Sequence, residues 1–147
     1  MKTILIDVRF ASGHSGLGSY TREIVRRLAR RDAPVHYKFL LGESREHWLP
    51  DSIPSENFIH TTIKHYSASE QLVLPRLLRS TGADLYYSPH FNVPYHCPIP
   101  FVATVHDLIL HHFPNNASWL KRLAYKKIMS QAVTHARRVI TVSEFVR

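Results

Sequence analysis

Short β-branched and aliphatic runs alternate with helical stretches along this chain, and that alternation restricts its fold more than any other feature. Thr3–Phe10 reads as a buried strand, with Ile4, Leu5, Ile6 and Val8 in succession. A loop over 11–18 leads to a helix from Ser19 to Arg31. Its Tyr20, Ile24, Val25 and Leu28 share one face, and Arg22, Glu23, Arg26, Arg27 and Arg30 lie elsewhere. Ser19 is the expected N-cap. Further strands are expected at His36–Leu41, Asn57–Ile63, Ala83–Ser88, Pro100–His106 and Val139–Val142, with helices at Ser67–Ser80 and Ala117–Arg137. Pro75 marks a kink or a late start in the first of these helices. Glu43–Ser55 reads as loop with a short helical turn, and the four prolines of Pro89–Pro100 require an ordered loop. Strands alternating with helices predict an α/β fold, a doubly wound parallel sheet.

The chain has 147 residues, enough for one domain with an ordinary core. With 44% hydrophobic and 20% charged residues it has the balance of a globular protein rather than a disordered one. The apolar run before the first acidic residue, Ile4-Leu5-Ile6, is only three residues long, too short for a signal peptide, and no window reaches the length of a membrane span. One cysteine, Cys97, excludes an intrachain disulfide and fits a reducing, cytoplasmic setting. Asn116-Ala117-Ser118 matches a glycosylation sequon that such a setting would leave unused. The net charge of +8 calls for an anionic partner: nucleic acid, an anionic membrane face or a phosphorylated small molecule.

Gly13, Gly16 and Gly18 stand between the first strand and the first helix. Helix N-termini carry unpaired amides and a partial positive charge, and glycine lets backbone approach an anion closely. The spacing G-x-x-G-x-G reverses the dinucleotide fingerprint, although Glu43 lies near where a ribose-binding carboxylate belongs. The lysine of a P-loop is missing. Simple turn chemistry remains the competing explanation for these glycines.

The run Phe101-Val102-Ala103-Thr104-Val105 delivers His106 and Asp107 at its carboxyl end. In open α/β sheets ligands bind beyond those ends, so an imidazole placed there faces a ligand. It is expected to donate a hydrogen bond to a substrate hydroxyl or phosphate. Ser88-Pro89-His90-Phe91-Asn92 should end on the same edge, where His90 and Asn92 either contact a polyol or pin the proline-rich loop. His111 and His112 invite a metal, but adjacent histidines diverge and no cysteine or carboxylate cluster completes a site.

The last helix carries Lys121, Arg122, Lys126 and Lys127 among Trp119, Leu120, Leu123 and Tyr125, followed by Arg137 and Arg138. The ordinary reading is a solvated basic face over a buried stripe. The functional one is peripheral attachment to an anionic membrane surface, where each basic residue contributes about 1 kcal/mol. No helix-turn-helix or RNA-binding motif is present, so nucleic acid is not the expected partner.

Taken together, Ile6-Asp7-Val8-Arg9, Ser15-Gly16-Leu17-Gly18-Ser19-Tyr20, Asp84-Leu85-Tyr86-Tyr87-Ser88-Pro89, Thr104-Val105-His106-Asp107-Leu108 and Val139-Ile140-Thr141-Val142-Ser143-Glu144-Phe145 resemble the N-terminal domain of group 1 (family 4) retaining glycosyltransferases of the GT-B fold. The mannosyltransferase-like members read most like this chain. The resemblance implies that residues 1–147 form the Rossmann-like, acceptor-side half of a hexosyltransferase. A second half, absent from this sequence, would hold most of the nucleotide-sugar site, and the isolated first half would transfer sugar poorly or not at all. Gly16, Leu17 and Gly18 would line the donor diphosphate, His106 would contact the reacting centre, and His90, Asn92 and Asp107 would serve the acceptor. The implied partners are a nucleotide sugar and a glycan or lipid-linked acceptor, as in polysaccharide biosynthesis. Neither a metal nor a further cofactor is implied, and the expected location is the cytoplasm, with peripheral contact at the inner membrane face. Two other classes compete with this enzyme half: a dinucleotide-binding module and a non-catalytic basic domain that docks on lipid or nucleic acid.

Overall fold

The computed structural model describes residues 1–12, 15–43, 47–108, 118–144 and 146 of the chain. Gly13, His111, His112, Asn116, Ala117 and Phe145 lie outside the described residues. Among those described, β1 (Lys2–Asp7), β2 (Val35–Leu41), β3 (Phe58–His60), β4 (Leu85–Ser88), β5 (Phe101–Val105) and β6 (Arg138–Thr141) make one sheet in the order β3-β2-β1-β4-β5-β6. Every pairing is parallel. The helices are α1 (Gly16–Ala29), α2 (Ala68–Leu72), α3 (Leu74–Ser80) and α4 (Trp119–His135).

Period-two alternation sends successive strand residues to opposite faces, and both faces are covered. Leu5, Leu40, Tyr86, Phe101 and Ala103 pack with Leu74 and Leu78 of α3 and Ala132 of α4. Their neighbours Ile6, Phe39, Leu41 and Tyr87 pack on the other face with Val25 of α1. The expected doubly wound sheet is therefore present. Chain order reverses between β1 and β4: β1 leads outward to β2 and β3, and the chain then returns to lay β4 on the other side of β1. Crevices form at such a switch point, beyond the carboxyl ends of the strands.

Several boundaries differ from expectation for physical reasons. The first strand ends at Asp7, and Arg9–Ala11 forms a short 3-10 turn because Arg9 folds back onto Asp7. The helix α1 starts at Gly16, capped by Ser15 rather than Ser19. Ser15 holds extended backbone while its Oγ accepts from the Gly18 amide at 3.0 Å, and this cap outweighs the poor helix propensity of the two glycines. Between Ser67 and Ser80 there are two helices, with Ser67 capping α2 and Pro75 in the first turn of α3, where a missing N–H costs nothing. Gly82, at φ +66°, turns the chain from α3 toward β4 in a conformation that suits glycine. The last helix and last strand are close to their expected places.

Candidate active site at the carboxyl edge of the sheet

The carboxyl ends of β1, β4 and β5 bring together segments that are far apart in sequence. The ring of Tyr20, in the second turn of α1, meets His106 edge-on with centroids 4.8 Å apart. His90 stacks at 6.3 Å from His106 and at 5.2 Å from Phe10. The second turn of α1, the loop after β4 and the end of β5 thus meet through Tyr20, His90 and His106, with Gly16, Leu17 and Gly18 in the turn of α1 before Tyr20. Behind them the hydroxyls of Tyr20, Tyr87 and Thr104 form a cluster with separations of 3.1–3.4 Å. This anchors α1 to β4 and β5.

His106 is half-buried, and its Nε2–H donates to the Pro89 carbonyl oxygen at 2.7 Å. A carbonyl can only accept, so Nε2 carries a proton and points it at Pro89. Nδ1 makes no hydrogen bond among the described residues. The Nε2 donor is thus engaged within the protein, and Nδ1 is the ring nitrogen left for a ligand.

His90 also carries a proton on Nε2, for a different reason. The Asn92 backbone amide donates to His90 Nδ1 at 3.1 Å, leaving Nε2–H directed at the Tyr66 hydroxyl, 3.5 Å away. Burial, followed by repulsion from His106, pushes the His90 pKa down to about 4, so the ring is neutral near pH 7. Asn92 points inward: it is buried, and its Nδ2 donates to Glu70 Oε2 at 2.6 Å. Of the two roles open to Asn92, this contact supports pinning the loop. Asp107 is exposed at the end of β5, and its charge reaches His90, Tyr66 and Tyr125.

At the start of α1 the three amides are not equivalent. The Gly18 amide is taken by Ser15 Oγ, and no described residue accepts from those of Gly16 or Leu17. A Cβ at Gly16 would meet nothing within 4 Å, so the protein itself does not require glycine there.

An ionic cluster under this edge lay outside the candidate residues read from sequence. Asp7 and Glu70 are fully buried, and Arg9 bridges them: Nε and Nη2 bond Asp7 at 2.9 and 2.6 Å, and Nη2 also reaches Glu70 Oε1 at 3.0 Å. Arg9 Nη1 donates to the Ile63 carbonyl, Tyr86 Oη donates to Asp7 at 2.6 Å, and the Tyr66 amide donates to Glu70 at 2.7 Å. Burial pushes the Asp7 carboxyl up, but the Arg9 charge and the hydrogen bonds from Arg9 and Tyr86 outweigh it and hold the carboxyl below its usual value. Burial and the Asp7 charge keep the Tyr86 phenol protonated. Tyr66 adopts φ +57°, an unfavourable angle for an aromatic residue, and its amide bonds Glu70 there. Glu70 therefore ties α2 to the His90–Asn92 loop. The available signal was Asp7 itself, a charge ending an apolar strand, because a buried carboxylate needs a partner.

A family model for Glycosyltransferase Family 4 matches residues 14–147, most of the chain. The chain belongs to glycosyltransferase family 4. A search among curated proteins finds no match. The family assignment gives the domain a nucleotide-sugar donor and an acceptor as substrates, and its Rossmann-like sheet fits the amino-terminal half of a GT-B enzyme. It also decides against the dinucleotide module. In this family 4 domain Glu43 is exposed beyond β2, and Gly16 and Gly18 lie inside α1 rather than in a tight turn after β1. No group of three or more metal-ligating side chains occurs among the described residues. None of the described helices is long and apolar enough to cross a membrane.

Proposed function

We propose that this domain supplies the acceptor side and part of the catalytic edge of a retaining hexosyltransferase, with a mannose-like sugar as donor group. The observation that carries the reading is the meeting of Tyr20 of α1 with His106, and of His106 with His90, at the switch-point edge of a family 4 domain. The Gly16 and Leu17 amides, with the helix dipole behind them, face the donor diphosphate, and Gly18 lets the backbone come close. As the bond from the anomeric carbon to the diphosphate oxygen breaks, that oxygen gathers charge, and preorganised amides stabilise it. The acceptor hydroxyl forms the new bond on the same face, and its proton leaves with the diphosphate oxygen. His106 Nδ1 accepts from a hydroxyl of the transferring sugar and fixes it over the edge. His90 Nε2–H and Asp107 contact the acceptor glycan or lipid-linked sugar, and Asn92 holds their loop.

Labelled-sugar transfer by the enzyme that carries this domain, across a panel of nucleotide sugars, tests the reading. The expected result is a glycoside whose anomeric configuration matches the donor, with loss of turnover in His106→Ala. An inverted product would overturn the retaining mechanism, and neither transfer nor donor hydrolysis from any nucleotide sugar would overturn the assignment.

A further inference from the structure

The amino edge of the sheet, opposite His106, carries a cavity that the sugar-transfer reading does not use. It has a volume of about 500 Å³, inside the roughly 300–1,000 Å³ of small-molecule sites. The strand β5, Phe101–Val105, spans about 13 Å between the two edges. Ile99, Phe101 and the half-exposed ring of Tyr95 give the cavity its apolar wall. The loop that carries this wall is held in place: the Tyr95 amide donates to Gln71 Oε1 at 2.8 Å, and Pro98 and Pro100 fix their own backbone angles. Gln131 and His135 of α4, with Arg137 just before β6, line the polar side. Gln131 is only 7% exposed, yet its Oε1 has no hydrogen-bond partner among the described residues. Protein interiors rarely keep an orphaned acceptor, because burying one is costly. The backbone of Gln131 is satisfied separately, its carbonyl accepting from His135 Nδ1–H at 3.1 Å. The Arg137 backbone amide is anchored to the Phe101 carbonyl at 2.8 Å, while its guanidinium makes no ion pair among the described residues. None of the described residues lining the cavity is acidic.

We propose that this cavity binds a monosaccharide-sized polyol that carries one anionic group. The N–H fork of Arg137 takes the anion, a carboxylate or a phosphate, whose oxygens match it in pairs. A hydroxyl of the ligand donates to Gln131 Oε1 and supplies the partner that the protein itself leaves out. The C–H face of the sugar ring packs on Tyr95 and Ile99. A purely apolar ligand would leave both Gln131 and Arg137 unanswered. His96, Cys97 and His135 also border the cavity, but among the described residues they do not form a metal-ligating group. The site is separate from the edge assigned to donor and acceptor, and it does not rest on the transfer reading.

Cys97 lines the same cavity and can report where a ligand sits. In the enzyme that carries this domain, calorimetric titration with glucuronate and with ribose 5-phosphate measures binding. Alkylation of Cys97, followed by mass spectrometry of its peptide, locates it. Burial pushes the Cys97 thiol up to about 11, so the alkylation is run at alkaline pH. With a nucleotide sugar saturating the other edge, at least one of the two anions should still bind and should slow Cys97 alkylation, and neutral glucose should do neither. The anion that binds identifies the charged group as carboxylate or phosphate. Arg137→Gln should weaken binding roughly ten- to a hundredfold. Gln131→Leu should weaken it as well, with the melting temperature unchanged or raised, because an orphaned acceptor is replaced by apolar volume. Arg137 is exposed, so its variant decides the point even if the buried one fails to fold. Four results would overturn the proposal: no binding of either anion at millimolar concentration, binding that leaves Cys97 alkylation unchanged, glucose binding as tightly as the anions, or affinity unaffected by Arg137→Gln.

Discussion

His106 shows how one hydrogen bond can determine which atom is available for chemistry. Because Nε2–H is held by Pro89 at 2.7 Å, the working nitrogen is Nδ1. Asparagine can place an oxygen near Nδ1, whereas glutamine reaches toward Nε2. In the enzyme carrying this domain, His106→Ala should lower kcat about 10²–10³-fold with little change in KM. His106→Asn should recover more of that loss than His106→Gln. Steady-state kinetics of the three variants decide the point, and a better glutamine variant would return the role to Nε2. Gly16 allows a similar separation of roles. Open space around its Cβ position means that Gly16→Ala should leave the melting temperature unchanged or slightly raised, whereas Gly16→Val should weaken donor binding. Equal losses of stability and binding would show that the glycine serves the turn alone.

At the scale of elements, the strands were legible because a parallel sheet covered on both faces needs near-continuous apolar runs, and Ile4–Ile6 and Phe101–Val105 are such runs. The start of α1 was not legible from propensity, because a serine cap and a local hydrogen bond decided it at Ser15. The histidines at the strand ends could be read from the rule that ligands gather there. The Asp7–Arg9–Glu70 cluster could not, because Glu70 lies 61 residues from Arg9 and only the tertiary fold joins them. That cluster should be costly to break. Removing one member of a buried ion pair typically costs about 3–5 kcal/mol. Glu70→Ala should therefore lower the melting temperature by on the order of 10 °C, and Glu70→Gln by less. Thermal unfolding followed by circular dichroism checks this, and a loss of under a degree would show that Glu70 is not coupled to the loop it contacts.

For the whole molecule, acid should destabilise the fold through two groups acting in the same direction. His90 titrates near 4 when folded against 6.5 ordinarily, so between those values the unfolded chain binds more protons. Stability should fall as pH drops from about 6.5 toward 4, by at most about 3 kcal/mol from this ring. Asp7, held below its ordinary value by Arg9, adds a further loss at still lower pH. Urea midpoints measured across this range should show the slope, and His90→Gln should flatten it above pH 4. An unchanged slope in that variant would assign the proton uptake elsewhere.

In the function proposed, the carboxyl edge of this family 4 domain is a surface for a nucleotide sugar, and an amide NMR titration of the enzyme that carries the domain tests that claim most directly. On adding a nucleotide sugar, the Gly16 and Leu17 amides and the side-chain resonances of His90 and His106 should shift together and saturate, and Gly16→Val should abolish the response while leaving the folded spectrum intact. Shifts confined to the far end of the sheet, or a response to nicotinamide dinucleotides and none to nucleotide sugars, would contradict it.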